Sequence, residues 1–141
     1  ITGFPSETDH DHEGTLRAIE EIRYDGMFAF KYSPRPETAA ARLEGQLDEE
    51  VKSGRLYEVI DLQNRITDSI NHALKNSRQE ILVESAHYGR EGAVIQGRTR
   101  TNKIVNCGHN AARNRVCRPG DLVDVMITAP ARHTLSGVII P

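Results

Sequence analysis

Ala93-Val94-Ile95-Gln96-Gly97-Arg98 and Lys103-Ile104-Val105-Asn106, joined by Thr99-Arg100-Thr101-Asn102, decide the fold of the second half of this chain. Both runs are short and β-branched, and the residues between them are polar turn formers, so they read as two strands and their turn. The pattern continues on either side. Residues 79–84 precede it, and 122–127 and 135–140 follow, each bounded by Gly, Pro or Asn. Five short antiparallel strands in about 60 residues predict a small β-barrel related to oligonucleotide-binding folds. Such a barrel closes its own edges and can fold alone.

The first half reads differently. Residues 1–5 form an apolar run ending in Gly3-Phe4-Pro5, a strand entering a turn. Thr8 is a helix N-cap, and Asp9, Asp11 and Glu13 complement the helix dipole behind it. Leu16, Ala18, Ile19 and Ile22 give that helix an apolar stripe, and Asp25-Gly26 ends it. Residues 27–32 are aromatic-rich and predict a buried strand, stopped by Ser33-Pro34-Arg35-Pro36. Strand, helix and strand in this order imply a parallel pair. A long helix follows over about residues 48–75, with Gly54 marking a break near its start. Its apolar face is Leu56, Val59, Ile60, Leu62, Ile66, Ile70, Ala73 and Leu74. The fold class is therefore α/β followed by all-β, divided at 1–77 and 78–141. Two βα units leave strand edges bare. Something is expected to precede residue 1 and complete that sheet, and residues 1–77 alone are not expected to stay folded and monomeric.

Composition limits the function classes. The 141 residues are 38% hydrophobic and 27% charged, as in a soluble globular protein rather than a disordered one. No apolar run approaches the roughly 18 residues that span a bilayer. The net charge of −2 conceals an asymmetry. Residues 1–77 carry nine Lys and Arg against fifteen Asp and Glu, and residues 78–141 carry nine against five. Either only the second half meets a polyanion, or the excess is ordinary surface charge. The two cysteines, Cys107 and Cys117, are too few for a disulfide-stapled domain and are expected as reduced thiols in the cytoplasm. Cys107 and His109 lack further ligands at metal-site spacing, so no metal is expected there. His10 and His12 are expected to be exposed, His72 lies on the long helix, and His133 adds to the basic surface. No histidine has a nucleophile and carboxylate in a catalytic arrangement, so no catalytic residue is assigned.

Several residues remain as binding candidates. Gly3 permits close approach to the backbone at a strand end. Glu7 either accepts hydrogen bonds from an amine or ribose or caps the helix. Arg35, between two prolines, suits a phosphate or carboxylate, or else caps carbonyls or meets a surface acid. Arg98 and Arg100 share a face if strand alternation continues through them. With Asn102, Lys103 and Arg132 they match phosphates along a backbone, and Arg113, Arg115 and Arg118 add charge, although a solvated basic surface has the same composition. Tyr88 is the sole aromatic residue of this half, so nucleic-acid binding is expected to be mainly electrostatic and steeply salt-dependent rather than built on stacked rings.

Four segments taken together resemble one family: Gly3-Phe4-Pro5-Ser6-Glu7-Thr8, Phe30-Lys31-Tyr32-Ser33-Pro34-Arg35-Pro36, Leu62-Gln63-Asn64 and Gly97-Arg98-Thr99-Arg100-Thr101-Asn102-Lys103. In this order and spacing they are similar to the C-terminal portion of bacterial methylthiotransferases, the tRNA 2-methylthioadenosine synthases. The resemblance runs over almost the whole chain. It implies the last βα units of a partial TIM-type radical S-adenosylmethionine barrel followed by a TRAM domain. It also implies S-adenosylmethionine and iron–sulfur clusters as cofactors of the full protein, with Gly3 and Glu7 in the S-adenosylmethionine pocket and tRNA held by the second half. Cluster cysteines in a Cys-x-x-x-Cys-x-x-Cys run are absent here. They are expected upstream in the same protein, and this segment is expected to be inactive alone. Relatives that modify a ribosomal protein tend to be acidic where this chain has residues 98–103, so the basic run argues for RNA; a non-catalytic RNA-binding module is the third reading. The family usually has Gly where this chain has Glu37, which leaves the turn geometry of that loop open.

Overall fold

The structure is a computed structural model that describes residues 1–89, 92–108 and 116–140. Compact units divide at Ile1–Thr67 and Asp68–Pro141, a boundary inside a helix. Five strands, β1 (Arg78–Gly89), β2 (Gly92–Thr99), β3 (Ile104–Cys107), β4 (Leu122–Pro130) and β5 (Leu135–Ile139), form a closed barrel in the order β1-β2-β3-β5-β4.

Alternation builds this barrel. Ile81, Val83, Ile95, Val105, Val123, Val125, Ile127 and Leu135 point inward and are almost wholly buried. Each contributes about 1.5–3 kcal/mol through burial. β1 pairs with β2 through residues 81–89 and with β4 through residues 78–82, so it belongs to both sides of the wall. A bulge between Val83 and Ser85 bends it at that transition. Gly97 faces the backbone of β1, where an added Cβ would lie 2.5 Å from the Leu82 carbonyl oxygen. One expectation needs correction: β3 and β5 are parallel, not antiparallel. The reason is parity. Strand direction alternates along the chain, and an odd number of alternating strands cannot close without one parallel neighbour.

In the first unit, α1 (Asp9–Ile22) begins as predicted. Thr8 caps it in a reciprocal box, its hydroxyl accepting from the Asp11 amide at 3.2 Å and its own amide donating to Asp11 Oδ2 at 2.9 Å. Its buried face is His12 and Ile19, with Leu16 partly covered, whereas Ala18 and Ile22 are exposed. The expectation that His12 is exposed is therefore wrong. His12 lies seven residues before Ile19, two helical turns along one face, and its Nε2 meets Glu58 Oε2 at 2.8 Å.

The parallel pairing is present but small. Thr2 and Lys31 form a single bridge, with the Thr2 amide donating to the Phe30 carbonyl and the Tyr32 amide to the Thr2 carbonyl. Residues 27–32 are not the buried strand that the sequence predicts. Tyr32 is buried, but Phe28 is 94% and Phe30 63% exposed. Parallel strands are stable when both faces are covered, and no described residue of this unit covers that face.

The second helix, α2 (Glu49–Ala73), is continuous through Gly54, so the break expected there does not occur. Its inward positions are Lys52, Arg55, Val59, Leu62, Gln63, Ile66 and Asn71, more polar than the apolar count implied, and Ile60 is exposed. Ion pairs formed by Lys52 and Arg55 on either side of Gly54 offset the glycine's poor helix propensity. A Cβ at Gly54 meets nothing within 4 Å. Gly54→Ala is therefore expected to raise stability by roughly 0.5–1 kcal/mol, read as a higher urea midpoint. A lower midpoint would mean that the helix is not regular there.

Candidate nucleic-acid interface

On β1 and β2 the outward positions form a charged lattice. Glu80, Leu82 and Glu84 alternate with buried Ile81 and Val83, and Arg98 and Arg100 flank buried Thr99. The expected shared face of Arg98 and Arg100 is therefore present. Both cations are paired, however. Arg98 Nε donates to Glu84 Oε1 at 2.9 Å, and Arg98 Nη1 lies 3.2 Å from both the carbonyl and the side-chain oxygen of Asn102. Arg100 Nη2 meets Glu80 Oε1 at 2.8 Å. Asn102 has φ +66°, a left-handed turn position that asparagine tolerates, and its amide donates back to the Thr99 carbonyl.

A second cluster ties Lys103 and Arg132 to the last turns of α2. The buried Asn71 amide donates to the carbonyls of Ala131 and Arg132, at 2.9 Å each, and its oxygen accepts from Lys103 Nζ at 2.8 Å. The Arg132 guanidinium grips Asp68 through Nε and Nη2, and this hydrogen bonding holds the Asp68 carboxyl below its ordinary range. Asn71 was missed in the sequence because an asparagine near a helix end reads as a turn former. His133 is exposed beside this turn, and Arg118 is exposed with its amide bonded to Asp121. Arg113, Arg115 and His109 lie outside the described residues.

The candidates of the first unit are placed as follows. Gly3 has φ +72°, and the space above its Cα is filled by the Lys52 side chain, so no other residue type fits there. Glu7 Oε2 accepts the Gly3 amide at 3.0 Å, while Oε1 pairs with buried Arg55 at 2.7 Å. Arg55 also meets Asp9 at 2.7 Å. Lys31 and Lys52 both bond Glu49, holding its carboxyl down to about 2. Gln63 of the Leu62-Gln63-Asn64 segment donates to the Tyr24 carbonyl at 2.7 Å. Arg35 is exposed, and its carbonyl accepts from the Thr38 amide and hydroxyl. Glu37 adopts φ +67°, so the loop keeps the left-handed turn that glycine favours although glycine is not there. Among the described residues, the buried hydroxyls of Thr2 and Tyr32 have no partner.

Cys107 and Cys117 belong to the barrel core. Burial, with Cys117 nearby, pushes the Cys107 thiol up to about 11, so it is protonated and inert at neutral pH. Among the described residues, no three His, Cys, Asp or Glu side chains gather as a metal site. No described helix is long and apolar enough to cross a membrane.

No family model matches the chain. Individual relatives do. It is 46% identical over 140 residues to the tRNA-2-methylthio-N6-dimethylallyladenosine synthase of Thermodesulfovibrio yellowstonii, covering 99% of this chain and 30% of the relative. A synthase of the same name from Mycobacterium marinum is 43% identical over 96% of this chain and 26% of its own length. The one from Clostridioides difficile is 39% identical over 99% and 28%. Each match covers nearly the whole of this chain.

Over nearly its whole length the chain is similar to the C-terminal part of these synthases. It spans about 30% of the length of the curated relatives it matches. Residues 97–103, one of the four segments that resemble these synthases, hold the arginines that Glu80 and Glu84 pair.

Proposed function

We propose that this chain is the RNA-holding C-terminal part of a tRNA methylthiotransferase that adds a methylthio group to an isopentenylated adenosine next to the anticodon. The observation that carries this reading is the outward pair Arg98 and Arg100 on a closed barrel, beside the clamped Lys103 and Arg132. Cations at two-residue pitch along a strand match successive phosphates. The relatives are named for tRNA, which favours this reading over a ribosomal-protein substrate and over a non-catalytic module. In this reading residues 1–77 are the end of a radical S-adenosylmethionine barrel, residues 78–141 are a TRAM domain, and the enzyme works in the cytoplasm on tRNA.

S-adenosylmethionine and iron–sulfur clusters supply radical and sulfur-transfer chemistry to such an enzyme. The cysteines of this chain do not fit a cluster, since both are buried in the barrel and Cys107 is held as a thiol. We assign the clusters to other parts of the protein and expect this segment to be inactive alone. We propose that Glu7 lies beside S-adenosylmethionine, with Gly3 shaping the turn whose amide Glu7 accepts while Lys52 fills the space above it. Each Glu7 oxygen has one partner and keeps an acceptor position, and the unpartnered hydroxyls of Thr2 and Tyr32 lie along the same bridge. Arg35, exposed after the second bridge segment, would hold a phosphate of the substrate or the cofactor's carboxylate.

Because Arg98 and Arg100 already have carboxylate partners, RNA gains only the difference between a phosphate and a glutamate contact. Arg98→Ala with Arg100→Ala is expected to weaken tRNA binding by roughly 1–3 kcal/mol and to flatten its salt dependence. A fluorescence titration of the 141-residue chain across salt concentrations reads both. Unchanged affinity and slope would defeat the RNA assignment.

A further inference from the structure

Between the two arginine–glutamate pairs the barrel wall is apolar. Leu82 is the central member of a row across three strands, in register with Arg98 of β2 on one side and Leu122 of β4 on the other. Leu82 is 47% and Leu122 57% exposed, although β1 and β4 bury their inward neighbours Ile81, Val83 and Val123 almost completely. These two leucines line an open cavity of about 330 Å³ that Glu80, Glu84, Arg98 and Arg100 also border. Leu82 and Leu122 are cross-strand partners, so they form one continuous apolar floor between the two ion pairs.

We propose that this cavity receives one unpaired nucleobase of the bound RNA, its face on Leu82 and Leu122 and its flanking phosphates on Arg98 and Arg100. The inference rests on the RNA reading above and deepens it. Three properties select this occupant. The floor is apolar, as a base face requires, and the volume lies at the small end of the roughly 300–1,000 Å³ typical of ligand sites, which suits one nucleoside rather than a stacked run. Arg98, fixed by Glu84 and Asn102, presents an ordered guanidinium at the edge of the floor, where it can meet a flanking phosphate. Arg100 is far more exposed, 83% against 37%, so it can exchange Glu80 for a phosphate with little rearrangement. The scarcity of aromatic residues in this half therefore does not exclude base contacts. It transfers them to two leucines.

The site separates single-stranded from duplex RNA, because only an unpaired base can leave its stack to reach the leucines. The test compares a hairpin RNA containing an unpaired loop with a blunt duplex carrying the same number of phosphates, both titrated against the 141-residue chain. The wild type is expected to prefer the hairpin by about tenfold. Leu82→Ala with Leu122→Ala is expected to remove that preference and leave duplex affinity unchanged, which also shows that the barrel is intact. Leu82→Gln with Leu122→Gln, which retains bulk while removing apolarity, is expected to do the same. Arg98→Ala with Arg100→Ala is expected to weaken both RNAs. Leucine variants that keep the hairpin preference, or that weaken both RNAs equally, would overturn the base site alone. Failure of the wild type to bind either RNA would overturn the RNA reading and the base site together.

Discussion

Arg55→Met is expected to destabilise the first unit by about 3 kcal/mol, the largest single-residue effect in that half of the chain. Arg55 is buried, and its guanidinium serves the Glu7 carbonyl, the Glu7 carboxylate and Asp9. Methionine keeps the volume and removes the charge, leaving Glu7, itself only 14% exposed, without its counter-ion. Breaking a buried pair from one side costs about 3–5 kcal/mol. The lower end applies here, because Glu7 keeps the Gly3 amide and Asp9 is solvated. Amide hydrogen exchange along α1 reads the loss. Adding Glu7→Gln to Arg55→Met is expected to restore part of it, since no uncompensated charge then remains. If the double variant is no more stable than the single one, the pair does not hold the turn that carries Gly3.

The second large effect is at Asn71. Its side chain makes three hydrogen bonds, to two carbonyls of the β4–β5 turn and to Lys103, all from a buried position. Asn71→Ala leaves those carbonyls and the ammonium to find other partners, at about 1–3 kcal/mol for each group that stays buried and unsatisfied. An overall loss of roughly 2–4 kcal/mol is expected, seen as a lower urea midpoint and faster exchange at residues 131–135. RNA affinity is expected to fall as well, because Lys103 and Arg132 lose their fixed positions although Asn71 touches no ligand itself. Wild-type affinity in a folded Asn71→Ala protein would show that the clamp does not orient those cations.

Much of this was legible in the residues. Thr8 and Asp11 stand at capping spacing, and α1 begins there. The strands were placed to within a few residues because inward valines and isoleucines alternate with polar positions in each. What escaped the reading was mostly pairwise. The sequence Glu80-Ile81-Leu82-Val83-Glu84 carries carboxylates at the same two-residue pitch as Arg98 and Arg100. That the two face each other depends on strand register, which a run of residues does not state. The bulge after Val83 was invisible for the same reason. The two-residue spacing of His10 and His12 only says that they point apart, whereas the burial of His12 follows from its distance to Ile19. Residues 27–32 were read by composition alone, and aromatic composition promises a cover that their own unit does not provide. The periodicity of α2 shows an apolar stripe, although four of its seven inward positions, Lys52, Arg55, Gln63 and Asn71, are polar and act as anchors.

The self-paired lattice on the barrel has a kinetic consequence. Two arginines held by two glutamates project almost no net field, so a polyanion several ångströms beyond the surface feels dipoles rather than a positive monopole. Long-range steering toward this face is weak, and encounter there is governed by ordinary diffusion and orientation. Discrimination is deferred until carboxylate and phosphate compete at contact distance, where a misplaced strand has nothing to trade and leaves quickly.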